Sequence, residues 1–155
     1  CLYILIIISI PLETRVSIQN HFKILKHCVE KGYAKNIGVH YNSNGTQLPN
    51  EALEEIWPHF KTVDVQFSID GIGEQFEYQR HPANWKEVNH NLNQFKVYQT
   101  ANMEFQICST INFFNVFSLA KLMLWVRNFA PKFFLFYYVS YRLIHGPSYQ
   151  IFIIF

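Results

Sequence analysis

Val65–Pro82 reads VQFSIDGIGEQFEYQRHP. Val65, Phe67 and Ile69 alternate with Gln66, Ser68 and Asp70, the period of a strand with one apolar and one polar face. Asp70-Gly71 ends the alternation, because glycine enters a turn at no steric cost. The polar stretch that follows carries Glu74, Glu77, Tyr78 and Arg80, and Pro82 closes it. A strand that delivers polar side chains into a glycine turn has the form of a site at the carboxyl end of a βα unit.

The flanking sequence repeats that unit. Downstream, Trp85, Val88, Leu92 and Phe95 mark one face of a helix of about four turns. Met103–Ile111 is a second alternating strand, with Phe105, Ile107, Ser109 and Ile111 opposite Gln106, Cys108, Thr110 and Asn112. Val116, Leu119, Met123 and Val126 predict another helix before Pro131. Upstream, Asn36–Asn42 sets Ile37, Val39 and Tyr41 against Gly38, His40 and Asn42, and runs into the turn Asn42-Ser43-Asn44-Gly45. Asn50 suits the cap of a short helix that Pro58 limits. Ser17 suits the cap of a helix carrying Ile18, Phe22, Leu25 and Val29, with Gly32 at its end. Leu2–Ile10 has the isoleucine-rich composition of a strand covered on both faces. Phe133–Tyr141 is too aromatic for periodicity to decide, and His145-Gly146-Pro147 is a turn before Ile151–Phe155.

The order β-α-β-α-β-α-β-α-(β) predicts parallel strands. In three of them one parity is polar, and burying that parity under helices would cost roughly 1–3 kcal/mol for each unpaired group. A partial (β/α) barrel with a polar interior avoids that cost, and it is the expected α/β architecture. In such a barrel Asn42, Ser68 and Asn112 should face one cavity, with Asp70 and Arg80 at its rim. No glycine-rich phosphate loop follows any strand, which argues against a dinucleotide-binding fold.

At 155 residues the chain is one domain's worth, with a formal net charge of +2, 50% hydrophobic and 15% charged residues. There is no basic run to act as a nucleic-acid footprint. Neither terminal apolar run approaches the roughly 18–20 residues of a membrane span. Cys1, Cys28 and Cys108 form no C-x-x-C and no metal spacing, which suits reduced thiols in a cytoplasmic protein. The seven histidines are scattered, and His21 and His27 do not share a helical face. The chain begins and ends inside apolar runs, so it is expected to be the central piece of a longer chain.

Three stretches resemble one family. HYNSNGTQLP (His40–Pro49), VQFSIDGIGEQFEYQRHPANW (Val65–Trp85) and LIHGPSY (Leu143–Tyr149) are similar to segments of radical S-adenosylmethionine enzymes, especially the subgroup with a twitch or SPASM-like extension. The resemblance spans roughly Glu13 to Gln150 and implies a partial (β/α) barrel. It also implies reductive cleavage of S-adenosylmethionine on a 4Fe-4S cluster, which starts radical chemistry on a peptide or small-molecule substrate and requires an electron donor.

Carried over residue by residue, Ser43 and Asn44 match the family's Thr-Asn-Gly turn against S-adenosylmethionine, with Asn42 on the adjoining strand end. Ser68 and Asp70 match the next strand end, which faces the same ligand or the substrate. Arg80 suits the methionyl carboxylate, or else an ion pair with Glu74 or Glu77. Asn112 or Asn115 matches an asparagine after the following strand. The family's Cys-x-x-x-Cys-x-x-Cys is absent, and Ile8-Ser9-Ile10-Pro11 stands where Gly-Gly-Glu-Pro would fall. The cluster is therefore expected in a full-length protein and not on this chain. The competing expectations are a non-catalytic α/β module and another barrel enzyme acting on a small polar metabolite.

Overall fold

The computed structural model describes residues 4–8, 15–129, 134–141 and 149–154, with side chains over 20–129. Six strands form one sheet in chain order: β1 (Ile4–Ile8), β2 (Ile37–Ser43), β3 (Thr62–Ser68), β4 (Met103–Ile111), β5 (Phe134–Tyr141) and β6 (Tyr149–Ile154). β1 to β5 are parallel neighbours, and β6 returns antiparallel along β5.

This overturns the expected partial (β/α) barrel. The sheet is open: β1 pairs only with β2 and β6 only with β5 among the described residues. A barrel must join its last strand to its first, and here the last strand reverses direction instead. Two-residue alternation gave the wrong inference because a polar parity suits an open sheet with one helix-covered face equally well.

The helices are α1 (Arg15–Glu30), α2 (Glu74–Gln79), α3 (Trp85–Tyr98) and α4 (Leu119–Phe129). α1 stops at Gly32, whose φ of 71° closes the helix through Gly32 N–H to Val29 O at 2.9 Å and Tyr33 N–H to Cys28 O at 2.9 Å. The expected short helix after Asn50 is a single wide turn, Ala52–Ile56, tightened into a 3₁₀ turn at Trp57–His59 where Pro58 enters. α3 is capped by Asn84, whose side chain accepts from Glu87 N–H at 3.1 Å. The stretch after Gly71 is more ordered than its polarity suggests, since α2 occupies it and buries Phe76.

Each of the three central strands sends its apolar parity to the helices. Val39, Val63, Val65, Phe67, Phe105 and Ile107 are buried to 1% exposure or less. An aromatic seam ties that face to the helices. Tyr41 packs on Trp57 at 5.1 Å between ring centroids, Trp57 stacks on Phe95 at 6.5 Å, and Phe95 meets Phe67 edge-on at 4.8 Å and Phe105 at 5.5 Å. α4 joins through Trp125 against Trp85 at 5.1 Å, and through Lys96, whose Nζ donates to Phe129 O at 2.7 Å. No described helix is long and apolar enough to cross a membrane. The reading of Ser9–Pro11 and of His145-Gly146-Pro147 lies outside the described residues.

Candidate functional site

The carboxyl ends of β3 and β4 are joined by a polar clasp centred on Asp70. Its carboxyl is buried, and Oδ1 accepts Thr110 N–H at 2.7 Å. Oδ2 accepts Arg80 Nε–H at 2.9 Å and a second bond from Arg80 Nη2. Arg80 sits at the end of α2, so this pair folds the segment after the strand back onto the strand's own tip. Its side chain keeps 32% exposure. The pairing that the sequence left open between a ligand and Glu74 or Glu77 is made to Asp70.

Asn115 completes the clasp. Its Nδ2 donates to Asp70 O at 3.0 Å and to Thr110 O at 2.8 Å, while its Oδ1 accepts Asn112 N–H at 2.8 Å. Asn112 is half-buried and its Oδ1 accepts Phe114 N–H at 2.8 Å. The two asparagines offered as alternatives by the sequence thus work together. Their three-residue spacing lets one side chain close the turn that the other begins.

The end of β2 forms a second tight turn. Ser43 is buried on the helix-covered face and its Oγ accepts Gly45 N–H at 3.0 Å. Asn44 Oδ1 accepts Thr46 N–H at 3.0 Å and the Thr46 hydroxyl at 2.7 Å. Gly45 has a φ of 75°, and a Cβ there would lie 3.0 Å from Val88 of α3, so glycine is required twice over. Its carbonyl accepts from the buried Asn91 Nδ2 at 3.0 Å, which pins the turn to α3.

Between this turn and the end of α2 lies an open groove of about 630 Å³, lined by Asn44, Thr46, Gln79, Arg80, His81 and Glu87. That size falls within the range of small-molecule sites. Of the residues singled out from sequence, Asn44 and Arg80 line the groove, and Asp70 orients Arg80 from behind. Asn112 reaches Gln79 Oε1 at 3.4 Å from the clasp side. Asn42 and Ser68 lie elsewhere, on the polar face, where Asn42 is exposed and in register with Gln66 and Ser68 is in register with Cys108. The expected single cavity for Asn42, Ser68 and Asn112 is therefore not formed by this groove. Thr46, Gln79 and His81 were missed. Gln79 and His81 flank Arg80 and Thr46 lies two residues after Asn44, and that closeness in the chain was the available signal.

The polar face carries a row of its own. Gln66 Nε2 donates to Gln106 Oε1 at 3.1 Å, and Gln106 Nε2 donates to Glu104 Oε1 at 3.0 Å. His40, Asp64 and Glu104 stand side by side in register. Burial raises the Asp64 pKa first, the Glu104 charge adds to that, and His40 opposes it. Among the described residues no three His, Cys, Asp or Glu side chains are grouped to hold a metal ion. Cys28 is half-buried on α1 and Cys108 is buried on β4, so these two do not form the thiolate set of an iron–sulfur cluster.

No family model, curated protein or solved structure matches the chain.

Proposed function

We propose that the chain is the ligand-binding portion of a radical S-adenosylmethionine enzyme, holding the methionyl end of S-adenosylmethionine in the groove beside Arg80. One observation supports this most: Asp70 fixes the Arg80 guanidinium on the wall of a groove that also exposes Asn44 and Thr46, at the strand ends where the sequence resemblance is strongest. Arg80 spends Nε and Nη2 on Asp70 and retains donors for a carboxylate. Asn44 and Thr46 hold the facing turn rigid, so the ligand would meet a preorganised wall. When bound, S-adenosylmethionine would supply the radical in that family, its reductive cleavage taking an electron from the cluster and electron donor of the proposed full-length protein. Cys28 and Cys108 do not fit a 4Fe-4S cluster. The cluster, the electron donor and a peptide or small-molecule substrate belong to the proposed full-length protein, in the cytoplasm.

A second reading is a non-catalytic α/β module. It is favoured by the way Asp70, Asn112 and Asn115 spend polar atoms on the chain's own turns. Calorimetric titration of S-adenosylmethionine into the folded chain separates the two. Saturable binding weakened at least about tenfold by Arg80→Gln is expected for loss of a charged hydrogen bond. A chain with native circular dichroism and no saturable binding would overturn the first reading in favour of the second.

A further inference from the structure

His21 is a buried titratable group that neither the clasp nor the groove uses. It projects from α1 beneath β2 with 8% exposure, its ring edge-on to Tyr41 at 5.6 Å and near Phe22 at 5.7 Å. Its Nε2 lies 2.8 Å from Tyr41 Oη, and Trp57 Nε1 lies 3.3 Å from the same oxygen. An indole N–H only donates, so Trp57 occupies an acceptor position of that hydroxyl. The arrangement that gives the Tyr41 proton an acceptor has Tyr41 O–H donating to a neutral His21 Nε2. Protonation puts a hydrogen on both ring nitrogens. Nε2 then becomes a donor, and the Tyr41 proton loses its acceptor inside a packed aromatic site.

We propose that His21, Tyr41 and Trp57 form a pH-sensitive latch that holds α1 against β2 while the imidazole is neutral and lets α1 loosen when it is protonated. Among the described residues the charged groups nearby are engaged or turned away. On α1, Lys26 pairs with Glu51, and His27 is exposed within reach of Glu30. From the turn that carries Trp57, Glu54 accepts from Tyr98, and Glu55 and His59 are exposed. On β2, His40 lies on the opposite face. Burial alone lowers the His21 pKa below its ordinary 6.5. A lowered folded pKa means the stability is complete above 6.5 and is lost as pH falls from there through the folded value. Because Tyr41 is two residues before Ser43, loosening would reach the strand that carries the groove turn. The latch does not depend on what the groove binds.

The test combines NMR titration of His21 with amide exchange of the whole chain at pH 7 and pH 5, in the wild type and in His21→Gln. An amide at position 21 still accepts from Tyr41 but takes no proton. His21 should titrate below 6.5. After correction for intrinsic rates, α1 amides should exchange about tenfold or more faster at pH 5 while β3 stays protected. His21→Gln should abolish that difference. A His21 pKa at or above 6.5, equal acceleration in α1 and β3, or an undiminished response in His21→Gln would each overturn the latch. If His21→Gln does not fold, the wild-type titration and the α1-to-β3 ratio decide alone.

Discussion

The two faces of β2, β3 and β4 are made from the same strands, residue by residue in turn, yet they obey different physics. On one face Val39, Val65, Phe67, Phe105 and Ile107 pack against aromatic rings and are almost wholly removed from water. On the other, Asn42, Asp64, Gln66 and Glu104 keep some exposure, and Gln66 and Glu104 are joined sideways through the Gln106 amide. Burial area sets the energy of the first face, and pairing of polar groups sets that of the second. Substitutions one residue apart should therefore differ severalfold in cost.

The largest contrast is at adjacent positions. Phe67 is fully buried between Phe95 and Phe105, so Phe67→Ala should lower stability by about 3–5 kcal/mol in urea unfolding. Its neighbour Gln66 contributes one hydrogen bond on the polar face, and Gln66→Ala should cost about 0.5–1.5 kcal/mol. Equal losses would mean that the two faces do not differ as described.

The clasp is the place where the polar face bears the most. Asp70→Ala removes the acceptor of Thr110 N–H and the partner of Arg80 together. Hydrogen bonds to a charged group are each worth about 1.5–3 kcal/mol, but Arg80 is a third exposed and water recovers part of its loss, so about 2–3 kcal/mol in total is expected. Arg80→Ala should cost less than Asp70→Ala, because Thr110 keeps its acceptor. The reverse order in the same unfolding assay would break the account of Asp70 as the centre.

Gly45→Ala comes next. It forces a side chain into positive φ and against Val88, at about 1–3 kcal/mol. Its second readout is the groove. If the turn positions Asn44 and Thr46, any S-adenosylmethionine binding should weaken along with stability.

How much of this was legible follows the same division. The strands Ile37–Ser43, Thr62–Ser68 and Met103–Ile111 and the apolar face of α3 could be read because alternation and helical spacing report which way a side chain points. Closure could not be read, since the parity of Gln66 or Asn42 is the same in an open sheet and in a barrel wall. Direction of the last strand was equally hidden: Tyr149–Ile154 is apolar whichever way it runs. At the site, sequence flagged Asp70, Arg80 and Asn112 as polar groups near strand ends. It did not show that they bond to one another, because that depends on α2 folding Arg80 back over ten residues. Nor did it show that the strand runs on through Ser43, which puts that side chain on the face opposite Asn42.

The smallest expected effect has the opposite sign, and it tests the polar face most directly. Asp64 and Glu104 stand opposite each other on neighbouring parallel strands, and burial together with the Glu104 charge raises the Asp64 pKa above 3.8. A carboxyl with a raised folded pKa adds stability when protonated and loses that contribution as pH rises from 3.8 through the folded value. At pH 7 the ionised group is therefore a cost that Asp64→Asn removes. The variant should be more stable than the wild type at pH 7 by about 0.2–1 kcal/mol, the scale of a like-charge pair across two strands. The gain should shrink as pH falls toward 3.8, where both states of the wild-type carboxyl take up protons. His40 limits the gain by partly stabilising the charge, so Asp64→Asn should gain more in a His40→Gln background. A loss of stability at pH 7, or a gain that grows toward acid, would show that Asp64 is paired in the folded chain and that the row His40–Asp64–Glu104 is held by attraction.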